Sequence, residues 1–192
     1  MKKIEILIIA LLIGVTADLS AQNTVEITEA EPIIWQGKAA LGGYSPEGTL
    51  ELEKGILTLD NNTITSLVVA VDMTTLSQEN KRLEGHLRNE DFFDVEVFTQ
   101  AVFTLTKPVD LNAEETQLEG VMTIKNNSMN EVIPAKLSIV DNSIVISFDH
   151  QFDRTLYGIT YNSPTYFEKL KDKAIADEFN LRAKLSFPLP SN

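Results

Sequence analysis

Cysteine is absent from all 192 residues. That excludes disulfide staples, thiolate nucleophiles and thiolate metal sites, so the fold must rest on its core alone. Histidine is scarce. Only His86 and His150 occur, and their positions give no H-x-x-x-H or H-E-x-x-H spacing, so a helical zinc pair cannot be built locally. Positive charge is also in short supply, with 16 basic against 28 acidic residues and a net charge of −12. A surface of that sign repels phosphate backbones and anionic headgroups, which argues against nucleic-acid binding and electrostatic membrane docking. By itself it is a solubilising surface. No G-x-S-x-G elbow, phosphate-cradling glycine loop or calcium loop is present. What remains is 43% apolar content, enough for one ordinary domain with a real core.

The first residues have the layout of an export signal. Lys2 and Lys3 precede an apolar run from Ile6 to Val15, and small residues follow at Ala17, Ser20 and Ala21. The run is shorter than the roughly 18 residues that span a bilayer, so no stable membrane insertion is expected after cleavage. Residues 1–21 are therefore expected to be a signal peptide cut after Ala21, with Ala17 as the competing position, and residues 22–192 to be the mature domain. The expected location is periplasmic or secreted. Cleavage removes Lys2, Lys3, Glu5 and Asp18, so the charge is unchanged.

Beyond the leader the chain alternates at the period of β-strands. Leu67, Val69, Val71 and Met73 share one face of a strand. Leu118, Gly120, Met122 and Ile124 share another, and Asn126 and Asn127 mark a hairpin tip because Asn tolerates positive φ. Pro134 suggests a strand edge or bulge. Ile144, Ile146 and Phe148 continue the pattern, as do Phe179, Leu181, Ala183, Leu185 and Phe187 in the best-patterned strand of the chain. Only two stretches read as helix. One is a short lid near Gln78 to Arg88, where Leu83 and Leu87 lie one turn apart and can both face inward while Glu84, Arg88 and Glu90 stay wet. The other starts at Ser163, a good N-cap, with Pro164 at the first helical position and Phe167 and Leu170 on one side. So many short strands need their edges closed, which predicts an all-β, antiparallel barrel of about eight strands.

One combination of motifs is more specific. VDMTTL, then LEGHLRNEDFFDVE, then AVFTLTK, followed by FDRTLYGITYNS at Phe152 to Ser163 and FEKLKDKAIADEF at Phe167 to Phe179, resembles the YceI-like family of lipid- and polyisoprenoid-binding proteins. The resemblance covers nearly everything after the first thirty or so residues. It implies a lipocalin-like barrel and a bound polyisoprenoid, quinone or similar amphiphile, with no cofactor.

The inward apolar set is Trp35, Val69, Val71, Met73, Phe103, Leu105, Met122, Ile146, Phe148 and Phe187, met from above by Leu83, Leu87, Phe92, Phe93, Tyr157 and Phe167. Most of these are core. The candidate ligand-binding residues are Val69, Val71, Met73, Leu83, His86, Leu87, Phe92, Phe93, Phe103, Met122, Ile146, Phe148, Arg154, Tyr157 and Phe167. Two adjacent rings at Phe92 and Phe93 need an apolar pocket, and Met73 and Met122 suit an irregular chain. His86 could donate a hydrogen bond to a headgroup. Arg154 requires a carboxylate, with Asp153, Asp177 or Glu178 as candidates, because burying a guanidinium alone is very costly. No residue qualifies as catalytic or metal-binding. The expectation is a non-catalytic carrier with a hydrophobic small-molecule or lipid partner, a second copy of the chain being a further partner to test. The alternative is an exported structural or stress-response interaction module with a filled barrel.

Overall fold

The computed structural model describes residues 22–27, 29–170 and 173–190. The export signal expected over residues 1–21 lies outside them. The elements run β1 (Asn23–Glu26), β2 (Glu29–Ala30), β3 (Ile33–Gln36), β4 (Glu47–Asp60), β5 (Thr63–Gln78), α1 (Lys81–Arg88), β6 (Gln100–Leu105), β7 (Val109–Asp110), β8 (Glu115–Ile124), β9 (Asn127–Val140), β10 (Ser143–Asp153), a 3₁₀ turn (Arg154–Tyr157) and β11 (Glu178–Pro188).

Neighbouring strands pair antiparallel in the order β4, β3, β11, β10, β9, β8, β6, β5, and β5 pairs back onto β4. Eight strands thus close a barrel, as the pattern predicts. Short β1 and β2 extend the wall beside β4 and β11, and β7 adds to β5. The turns follow from their residues. Asn61, Lys125, Asn126, Asp141 and Asn142 all take positive φ, which Asn and Asp accept more readily than other non-glycine residues. The β8–β9 tip falls on Lys125–Asn126, one residue earlier than expected, and Asn127 begins β9.

The hairpin turns at 61–62 and 141–142 lie at one end, where Leu57, Leu59, Ile64, Ile144, Ile146 and Phe187 are almost fully buried and close the barrel. The loops at 37–46 and 79–99 and the stretches 154–170 and 173–177 gather at the other end. Two glycines make room for rings on the neighbouring strand: a Cβ on Gly48 would sit 2.6 Å from the Trp35 ring, and one on Gly120 would clash with the Phe103 ring. Each aromatic occupies the space its glycine leaves.

The wall is not hydrogen-bonded throughout. Pairing of β9 with β10 stops at Ala135↔Phe148, next to Pro134, which has no N–H to give to a ladder. The 3₁₀ turn closes that seam. Tyr157 is fully buried there, its hydroxyl donates to Glu131 Oε1 at 2.5 Å, and Asn127 Nδ2 donates to its carbonyl at 2.9 Å. His150 Nε2 lies 3.8 Å from the other Glu131 oxygen. Burial and the Glu131 carboxylate raise the phenol pKa far above its ordinary value of 10.0.

The second helix is not formed. Ser163 does cap a turn, accepting from the N–H groups of Tyr166 and Phe167 and, through Oγ, from Thr165 N. However, Thr165 Oγ1 donates to Asp177 at 2.6 Å, and Lys169 takes φ 67°, so the described residues after Ser163 pass through successive turns. Tertiary contacts outweigh a good cap sequence.

Candidate functional site

The lid is built locally by its caps. Asn80 Oδ1 accepts from Arg82 N and Leu83 N, which starts α1 directly after β5. Glu84 accepts from Gln78 N at 2.8 Å and Lys81 Nζ at 2.9 Å, and Arg88 donates to the β5 carbonyls of Thr74 and Leu76. These two residues, expected to be merely wet, tie the helix to the strand. The Lys81 ammonium and the Gln78 N–H hold the Glu84 pKa below its ordinary 4.5. After α1 the chain folds Phe92 inward, with 4% of its surface exposed, while Lys125 Nζ donates to the carbonyls of Glu90 and Phe92 and fixes the loop from the β8–β9 tip.

Beneath this lid lies a cavity of about 210 Å³. Val69, Val71 and Met73 line it from β5, Phe103 from β6, Met122 from β8 and Phe148 from β10. Leu83, His86, Leu87, Phe92 and Phe93 form its roof. All the sequence-predicted residues except Ile146, Tyr157 and Phe167 therefore surround one hollow. Ile146 is wholly buried, but its place is the packed closed end rather than the cavity wall. Tyr157 faces the β9–β10 seam. Phe167 is 49% exposed, because the turn that replaces the helix points it to solvent.

Arg154 reaches the cavity edge with its hydrogen bonds already committed. Nε donates to Ala176 O at 3.0 Å, one terminal nitrogen to Ile159 O at 2.7 Å, and the other to Ile175 O at 3.0 Å and Asp177 Oδ1 at 3.4 Å. Burial lowers its pKa, and Asp177, Asp153 and Glu178 oppose that shift. Of the three expected partners, Asp177 makes the contact. The guanidinium closes the barrel mouth by clamping residues 159 and 175–177 onto the 3₁₀ turn.

His86 is the polar member of the roof. Its ring meets Phe92 edge-on at 5.1 Å and Tyr161 at 4.7 Å between centroids, and Nδ1 lies 3.4 Å from Asn89 Nδ2. The remaining polar lining is Lys38 and Glu178 at the mouth, with the exposed ring of Tyr44 beside them. Sequence reading missed these, together with Ile175, Phe179 and Leu181. The alternation of β11 could have delivered Phe179 and Leu181, but residues 37–46 have no period to read. Among the described residues, no three histidine, aspartate or glutamate side chains are placed to hold a metal ion, and no helix is long and apolar enough to cross a membrane.

A closed antiparallel barrel around an apolar hollow, roofed by one short helix, is an architecture with room for one small ligand. The chain belongs to the YceI-like domain family, whose model matches residues 20–187. Solved structures share the fold at low identity. BcnA of Burkholderia cenocepacia is 15% identical with a TM-score of 0.64, over 81% of this chain and 94% of that one. A polyisoprenoid binding domain from Saccharophagus degradans, implicated in plant cell wall breakdown, is 10% identical with a TM-score of 0.65, over 87% and 98%. The YCEI protein of Campylobacter jejuni is 16% identical with a TM-score of 0.57, over 100% and 92%. No curated protein sequence matches the chain.

Proposed function

We propose that this protein is a non-catalytic carrier of the cell envelope that holds a polyisoprenoid, a quinone or a similar amphiphile in its barrel. The observation that carries this reading is the cavity itself. An apolar hollow of roughly 150 Å³ is already enough to stay dry and accept a small aromatic guest, and this one measures about 210 Å³. Emptying such a space of water and filling it with hydrocarbon is favourable by about 0.8 kcal/mol for each methylene buried. The polyisoprenoid binding domain with the same fold supports the choice of guest.

The volume also constrains the pose. As it stands the hollow takes a short stretch of a slender chain, so a longer tail is accommodated by rotation of Met73 and Met122, which have the most adaptable side chains of the lining. The headgroup stays at the mouth, near His86 and Lys38. The filled-barrel alternative is disfavoured by the same open volume.

Extraction of protein purified from its native host without detergent, followed by mass spectrometry, tests the proposal. About one long-chain apolar molecule per chain is expected. Recovery of none, from protein whose cavity is intact, contradicts it.

A further inference from the structure

Four large side chains near the opening are apolar or aromatic and turned outward. Leu41, Tyr44, Tyr166 and Phe167 are 60%, 58%, 58% and 49% exposed. They belong to two loops that are fastened together. Ala40 N donates to Ala174 O at 2.9 Å, Ala176 N donates to Lys38 O at 2.8 Å, and Ala39 and Ile175 form a β-bridge. Lys38, Ala39, Tyr44 and Ile175 also line the cavity, so the apolar rim is continuous with the hollow. Gly42 and Gly43, at φ 86° and 72°, shape the tip that carries Leu41 and Tyr44 in a conformation other residues rarely adopt.

We propose that this rim docks on the surface of a lipid bilayer and that the guest enters the barrel directly from the membrane. The inference rests on the carrier reading and adds its source. A chain that prefers an oily hollow also prefers the bilayer core, and a mouth sealed against the membrane spares it passage through water. Tyrosines suit the bilayer interface, where one end of the ring is apolar and the other wet. Among the described residues of the mouth loops acidic side chains are at least as many as basic ones, so contact depends on apolar area and not on attraction.

Flotation with phosphatidylcholine vesicles reads docking, and vesicles loaded with diphenylhexatriene read delivery through energy transfer from Trp35, the single tryptophan, which lines the cavity. We expect the protein to float with the vesicles equally at low and high salt, since apolar contact is not screened. A double variant, L41S with F167S, is expected to lose about ten-fold in co-flotation and in loading rate. It should bind diphenylhexatriene added from ethanol as the parent does, because neither residue lines the cavity. I139S with V140S, which removes exposed apolar residues from the far end of β9, should match the parent.

Docking is overturned if the parent does not float, if L41S with F167S floats and loads normally, or if high salt abolishes flotation. It is also overturned if sedimentation shows a dimer that the double variant abolishes, since the rim would then belong to a second copy. Failure of the carrier reading looks different: diphenylhexatriene would not bind from ethanol while flotation persisted.

Discussion

Arg154 shows what a single residue does here. Its guanidinium holds three backbone carbonyls and Asp177 at once, and nothing but a planar fork can reach all four. Arg154→Ala leaves the Asp177 carboxylate buried without its cation, so we expect a loss of about 3–5 kcal/mol in urea unfolding, with Arg154→Lys recovering only a small part. Unchanged stability with faster guest loss would instead make Arg154 a ligand contact. The need for a carboxylate partner was legible from the chain, because an arginine set among apolar residues cannot be buried alone. Which carboxylate, and the carbonyls of Ile175 and Ala176, were not legible, since they depend on where a loop more than twenty residues away returns. Phe167 and Tyr157 illustrate the same limit. Both are aromatic and near the mouth, yet one faces water and the other a seam in the wall.

At the scale of elements, strands were easier to read than helices. Period-two alternation in β5, β8 and β11 depends only on which face is buried, and the barrel buries one face of each throughout. The ladder break beside Pro134 follows from a missing N–H and was equally legible. The stretch after Ser163 had the cap and the proline of a helix but lost it to Asp177 and a left-handed Lys169. The lid helix survives because Asn80 caps it and Glu84 and Arg88 bind it to β5. The pKa of Glu84 is depressed in the folded state, so its contribution is present above the unfolded value and is lost as pH falls through the folded one. Amide protection over residues 81–88 should therefore weaken as pH is lowered through the carboxylate range. Glu84→Gln should show weaker protection near neutrality and no such slope. An identical slope in both proteins would mean that another group holds the lid.

For the molecule as a whole, closure is the consequential property. Eight strands returning to their start close a ring of pairings, broken among other places at the Pro134 seam, and they turn their inward side chains into one interior. Leu57, Ile64, Ile144 and Phe187 fill its closed end. Smaller or adaptable residues at Val69, Val71, Ala101 and Met122 leave a hollow open beneath the lid. The barrel and the wall residues Val69, Val71, Met73, Phe103, Met122 and Phe148 could be read in the chain, because both are written in alternation. The volume left over could not, because it is the small difference between a wall's circumference and the side chains inside it. The most direct test is a crystal structure of protein purified from its host without detergent. The account predicts continuous density for an apolar chain between Val71, Met73, Phe103 and Met122, its polar end near His86 and Lys38. A hollow holding only ordered water, or collapsed onto its own side chains, would contradict it.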